Sequence, residues 1–350
     1  MGDGINWQTE PGGHSGRREL CGSGAGASGI AEEVELRGRR LTGCCKGMLT
    51  GLAPLSGMTL AVKKKTNTVE SSTTSFRVYL LLLVLLCVGG PGEGEAQVVD
   101  RGKWVVRKEF LPHSKDNNKK IELFWTQPEG DGPYPAVLLI HGHQEQIRNG
   151  GEAFVKTGRL GILASRGYVA ASLSQPGYGN SDGPADYCGP FTQDAVLVAM
   201  DFLRKQAFVR PNKVAVYGYS RGAIVASMVA TKDQTLAAVV LGAGAYDFFS
   251  WYPTPMRGID ANIRQEAGTS AEAFRARSAI YDVDKIKAPI LLLHGTQDER
   301  IPVRQAEGFF EKLKATGGAV KMKIFPKARH NIPIDEQYSE IYPFLAEFLR

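Results

Sequence analysis

The chain has 350 residues, 43% hydrophobic and 22% charged, which is the composition of an ordinary globular protein with room for one large domain. Its 42 Lys and Arg against 36 Asp and Glu give a formal net charge of +6. That excess is spread along the chain and forms no basic stripe interleaved with aromatics, so nucleic acid is not an expected partner.

Residues 1–57 are rich in Gly, Ser and Arg, as in Gly22-Ser23-Gly24-Ala25-Gly26, and show no sustained apolar period. Residues 1–77 are therefore expected to be disordered or an upstream extension, with either Met1 or Met58 as the start. Lys63-Lys64-Lys65 and Arg77 precede a short apolar block, Val78 to Val88. The block falls short of the roughly 20 residues of a transmembrane helix, so no stable membrane span is expected. It fits the apolar region of a secretory signal within 78–96, with Gly94 and Ala96 placed for cleavage before Gln97. The expectation is a secreted or periplasmic domain spanning 97–350; the alternative is an uncleaved signal that anchors it. Of Cys21, Cys44, Cys45, Cys87 and Cys188, the last alone lies in that domain, too few for an internal disulfide. No metal-ligand spacing or cofactor motif is present, and no cofactor is expected.

From residue 97 strand-like and helix-like runs alternate. Trp104–Phe110 and Ile121–Thr126 suggest an opening hairpin, and Ala136–Ile140 an apolar strand covered on both faces. A helical stretch over 151–165, a strand at 168–173, a helix at 192–206 and a strand at 213–217 follow. Then come a helix from Ala223 to Thr231, strands at 237–241 and 289–294, a helix at 303–315, a strand at 320–325 and a helix at 335–349. The pattern predicts an α/β fold, a doubly wound, mostly parallel sheet whose ligands bind beyond the carboxyl ends of the strands. The pattern breaks down between Gly244 and Asp284, which hold Phe248, Phe249, Trp251, Tyr252 and Met256. This insertion is either a small lid over the sheet edge or a connection whose aromatics are buried for stability.

Chemistry concentrates at Gly218-Tyr219-Ser220-Arg221-Gly222. A strand, a sharp turn and a helix in succession hold a serine with its Oγ exposed, and side chains at the two glycines would collide with neighbouring backbone. A serine hydroxyl needs a base, and the base needs an orienting carboxylate. His330, before the last helix, is the expected base. Asp298, four residues past a strand, is the expected acid; Asp247, after the preceding strand, is its rival. Glu299 is expected to turn away, and His294 to be a packed or hydrogen-bonded core residue. The oxyanion should meet the N–H of Arg221 at the start of a helix and a donor from the loop His141-Gly142-His143-Gln144, with His143 first and Gln144 second. His141 is expected to hold that loop. The Gly177–Gly183 segment is expected to be a turn, with Tyr178 the residue that could reach a substrate; Cys188 is expected to be a bystander.

His141-Gly142, the Gly177–Gly183 turn, the Ser220 elbow, Asp298 and His330 occur in the order seen in the α/β-hydrolase superfamily, over 104–350. Lys285 to Pro289 and His294 to Val303 resemble the prolyl-oligopeptidase-like and dienelactone-hydrolase-like branches. The resemblance implies a serine hydrolase acting on carboxylic esters or, less often, peptides. Residues 1–96 are too short and polar for the propeller of the oligopeptidases, and Ser220 stands where dienelactone hydrolases have cysteine. The expectation is a secreted esterase that acts on a small-molecule ester through an acyl-enzyme. The alternatives are an amidase or small serine peptidase with the same triad, and a non-catalytic hydrolase-fold binding protein.

Overall fold

The computed structural model describes residues 97–101 and 104–350. The expectations for 1–96, including the signal and the start at Met58, lie outside the described residues.

Nine strands form one sheet in the order β1-β2-β3-β5-β4-β6-β7-β8-β9. β1 (Gln97–Arg101), β2 (Trp104–His113) and β3 (Asp116–Thr126) are antiparallel neighbours, and β3 runs antiparallel to β5 (Val169–Leu173). From β5 onward every pairing is parallel, through β4 (Tyr134–Ile140), β6 (Val209–Tyr219), β7 (Ala238–Gly242), β8 (Ile290–Gly295) and β9 (Val320–Phe325). The doubly wound expectation holds.

The unbroken apolar runs have a two-sided cause. Successive side chains on a strand alternate faces, so a strand covered on both sides must be apolar at every position. Ala136, Leu138 and Ile140 enter one core with Val214, Val216, Ile290 and Leu292. Val137 and Leu139 enter the other with Ala215, Tyr217, Leu291 and Leu293. The first core is closed by α3 (Pro190–Arg204), α4 (Arg221–Lys232) and α8 (Arg304–Ala315). The second is closed by α1 (Glu152–Lys156), α2 (Arg159–Ala164) and α9 (Ile334–Leu349). The helix expected over 151–165 is two helices, because Gly158 takes a left-handed φ of 71° between them. Among the described residues no helix is long and apolar enough to cross a membrane.

β4 pairs with β5 on one side and β6 on the other, so the chain direction across the sheet reverses there. The loop after β4 and the turn after β6 therefore meet at the carboxyl edge, where ligands of such sheets bind. The 244–284 segment folds into α5 (Phe248–Trp251), α6 (Arg257–Glu266), α7 (Ala271–Arg275) and two 3-10 turns. Phe274 packs against Phe248, Phe249 and Tyr252, which ties α7 to α5 as an aromatic cluster.

Candidate active site

Ser220 sits between β6 and α4 with φ 54° and ψ −121°, a backbone state that costs about 1–3 kcal/mol and persists where its surroundings impose it. They do so closely. The Ser220 N–H donates to the Gly242 carbonyl at 2.7 Å, and its carbonyl accepts from Ala223 N at 2.9 Å. A Cβ on Gly222 would stand 2.1 Å from the Ile140 carbonyl oxygen, and one on Gly218 would stand 2.1 Å from the Gly222 oxygen. Both elbow glycines are steric requirements.

The structure brings the three expected residues together. His330 Nε2 lies 2.8 Å from Ser220 Oγ. His330 Nδ1 lies 2.8 Å from Asp298 Oδ2 and 3.0 Å from Oδ1. Since Nδ1 faces a carboxylate it carries the proton, which leaves Nε2 free to accept from the serine. Asp298 Oδ1 also accepts the N–H groups of Arg300 and Ile301 at 2.9 Å each. Burial alone raises the Asp298 pKa, but hydrogen bonds from His294, His330 and Ile301 outweigh it and hold the carboxyl well below the usual carboxylate range. Asp247, the rival acid, instead caps α5 by accepting from Phe249 N at 3.1 Å and meets the Tyr281 hydroxyl at 3.2 Å.

Three supports were not foreseen. The buried His294 donates Nε2–H to the Ile301 carbonyl at 2.8 Å and sits 3.2 Å from Asp298 Oδ2, so it is a core residue that also holds the acid. Its place four residues before Asp298 was the available signal. Glu299, expected to turn away, accepts from the His330 N–H at 3.2 Å and meets Arg329 Nε at 3.3 Å. The hydroxyl of Tyr219, the residue before the nucleophile, bridges the backbone of His330 and Ile332.

Arg221 begins α4, where the first N–H groups of a helix lack intrahelical partners. Its buried guanidinium forms an ion pair with Glu266 of α6 at 2.8 Å, off the angle of a good hydrogen bond, and lies over the Tyr178 and Tyr187 rings at 5.1 and 4.7 Å. The loop after β4 passes close to the nucleophile: a Cβ on Gly142 would lie 3.5 Å from Ser220 Cβ. His141 holds that loop, as expected. Its Nδ1 faces the Gly142 carbonyl at 2.8 Å, and its Nε2 accepts from Gln175 N at 3.0 Å. His143 Nδ1 is 3.1 Å from the Tyr178 hydroxyl and Nε2 is 3.3 Å from Asn262 Nδ2 of α6. Burial, with Arg221 nearby, pushes the His143 pKa down. The Gln144 side chain turns away and pairs twice with the Gly150 backbone, at 2.8 and 3.1 Å. Tyr178 is buried, and Gly177 and Gly179 of its turn take φ of 81° and 56°. The buried Cys188 thiol contacts the Arg221 carbonyl at 3.4 Å.

A narrow cavity of about 20 Å³ beside Ser220 is walled by Tyr187, Ile224, Trp251, Met256, Ile259 and Ile301. The 244–284 segment supplies three of these residues and so builds one wall of the cleft.

The model of the prolyl oligopeptidase family matches residues 158–350. The chain is 26% identical over 215 residues to the uncharacterized peptidase YuxL of Bacillus subtilis (strain 168), a match over 59% of this chain and 32% of that protein. It is 25% identical over 232 residues to the uncharacterized peptidase YtmA of the same organism, over 63% of this chain and 85% of that one. The chain thus spans about a third of one relative and most of the other. The acylaminoacyl peptidase of Pyrococcus horikoshii superposes with a TM-score of 0.59 at 19% identity, over 73% of this chain and 42% of its own. The fold is that of the α/β-hydrolases, and with a family match over more than half its length the chain belongs to the prolyl oligopeptidase family of serine hydrolases.

Proposed function

We propose that Ser220, His330 and Asp298 form the catalytic triad of an acyl-transfer hydrolase that acts on short peptides or acylated amino acids. The observation that carries this is the continuous chain of contacts from Asp298 through His330 to Ser220 Oγ, each link at 2.8 Å. In the first step Oγ bonds to the substrate carbonyl carbon while His330 Nε2 takes the hydroxyl proton. The tetrahedral oxyanion is met by the Arg221 N–H and by the loop at His143. The carbon–nitrogen bond breaks, and His330 returns its proton to the departing amine. Water, deprotonated by His330, then attacks the acyl-enzyme, and Oγ leaves with that proton. Asp298 holds the imidazole in the required tautomer and stabilises the imidazolium. The preference for peptide bonds is supported by the family and by its relatives YuxL and YtmA, which are named as peptidases.

Carboxylic esters are the second reading, because the same triad acylates on an ester more readily than on an amide and the apolar cavity beside Ser220 suits a small acyl group. A fluorophosphonate probe should label the wild type and spare Ser220→Ala; equal labelling of both removes Ser220 as the nucleophile. Matched ester and anilide substrates of one acyl group then rank the two readings. The basic and apolar segment before residue 97 supports export of the domain, which N-terminal sequencing of secreted protein tests.

A further inference from the structure

Two openings meet at His143, which lines both. The narrow cavity described above is walled mainly by apolar side chains, with Glu145, Arg221 and Arg300 also in its lining. On the other side of the His141–Gln144 loop, beside Tyr219 and the two residues that follow His330, runs an open groove of about 420 Å³. Its lining contains one fixed cation, Arg159, and no Asp or Glu. Arg159 is partly buried and lies over the Phe154 ring at 5.4 Å, which limits the directions its guanidinium can take. It makes no ion pair among the described residues. Glu152 is paired with Lys156 at 2.7 Å, and Asp335 and Glu336, beside the lining residues Ile334 and Gln337, do not themselves line the groove. The exposed amide of Asn331, next to the base, lines the same groove.

The groove is bordered by Asn331 and Ile332, next in sequence to His330, which returns the proton to the leaving group in the reaction proposed above. A lone, partly desolvated guanidinium there favours an anion, and its planar fork matches a carboxylate. We propose that the groove receives a leaving group bearing a carboxylate and that Arg159 pairs with it. For a peptide, that carboxylate is the free C-terminus of the residue released. The inference rests on the hydrolase reading above and gives the substrate a direction, with an apolar acyl part in the cavity and an acidic leaving part in the groove. The glutamate-paired Arg221 does not compete for this charge, because Glu266 neutralises it.

The test uses the full chain and two matched pairs. N-acetyl-Ala-Gly is compared with its C-terminal amide, and 4-acetoxybenzoate with 4-acetoxybenzamide. Within each pair the leaving group differs in charge at one position. The wild type should favour the acid by about fivefold in kcat/KM, the upper range for a partly exposed ion pair, and the preference should shrink with added salt. Arg159→Gln should bring the acid-to-amide ratio to about one, and Arg159→Glu should take it below one. Equal rates on acid and amide, or a preference that survives in Arg159→Gln, overturns the proposal. Fluorophosphonate labelling of Ser220 without hydrolysis of either acid overturns this inference alone. Absence of both labelling and turnover overturns the hydrolase reading with it.

Discussion

The Tyr219 hydroxyl donates to the His330 carbonyl oxygen at 2.6 Å and accepts from the Ile332 N–H at 3.0 Å. The residue that ends β6 beside the nucleophile thus grips the backbone of the loop that carries the base. Burial pushes the phenol up to about 12, so it stays a neutral donor across the working pH range. Tyr219→Phe keeps the ring and removes the grip. We expect kcat to fall roughly 10- to 100-fold with little change in KM, because the imidazole is displaced while substrate contacts remain. Steady-state kinetics on the variant checks this; an unchanged kcat contradicts the positioning role.

Removing the nucleophile should show in kcat. Ser220→Ala and His330→Ala are each expected to lower kcat by about 10⁶, leaving what the oxyanion donors and binding supply. Asp298→Asn keeps the shape but donates where it should accept, so the imidazole takes the wrong tautomer and kcat drops by about 10⁴. Rates under substrate saturation decide, and residual activity above a tenth of wild type in Ser220→Ala contradicts the triad.

The Arg221–Glu266 pair spans α4 and α6 with both side chains nearly buried. Glu266→Gln leaves an uncompensated buried guanidinium and is expected to cost about 3–5 kcal/mol in urea unfolding. Arg221→Met with Glu266→Gln removes both charges and should recover a large part of that loss. A double variant no more stable than the single one contradicts this account.

His141 makes stability pH-dependent. Burial pulls its pKa down to about 4, with the Gly142 carbonyl opposing and the Arg221 charge adding to the shift. The unfolded chain has a histidine near 6.5, so below that pH the unfolded state binds more protons. The contribution is present above about 6.5 and is lost as pH falls toward 4, amounting to about 2 kcal/mol between pH 7 and 5. Protonation of Nε2 also faces it with the Gln175 N–H, one donor against another. Urea midpoints of wild type and His141→Asn across this window should converge as pH falls; parallel curves contradict the assignment.

The elements legible in advance were those with an unambiguous period. The runs at 136–140 and 289–294 became β4 and β8 with small shifts, because a strand buried on both faces has few alternatives. The single helix read over 151–165 failed at Gly158, where a left-handed turn interrupts an otherwise helical pattern. The 244–284 segment carried aromatics without a period. Its helices are placed by the packing of Phe274 on Phe248 within the segment and by contacts with the floor at Arg221 and His143, which lie far away in sequence.

Within the site, the residue types and their order named Ser220, Asp298 and His330, since a strained elbow and a base-acid pair can occupy few positions in a wound sheet. Which side chains support them was a matter of three-dimensional neighbours. Glu299 and Tyr219 reach the His330 backbone across separations of 31 and 111 residues, distances over which a sequence holds no periodic signal. Local pattern determined the strands, the elbow and the choice of Ser220, Asp298 and His330 as candidates. Tertiary packing decided how the His330 backbone is gripped, how the His141–Gln144 loop is held, and why, among the described residues, Arg159 stands without an ion pair in the groove. Those outcomes depend on which loops the sheet order brings together at its carboxyl edge.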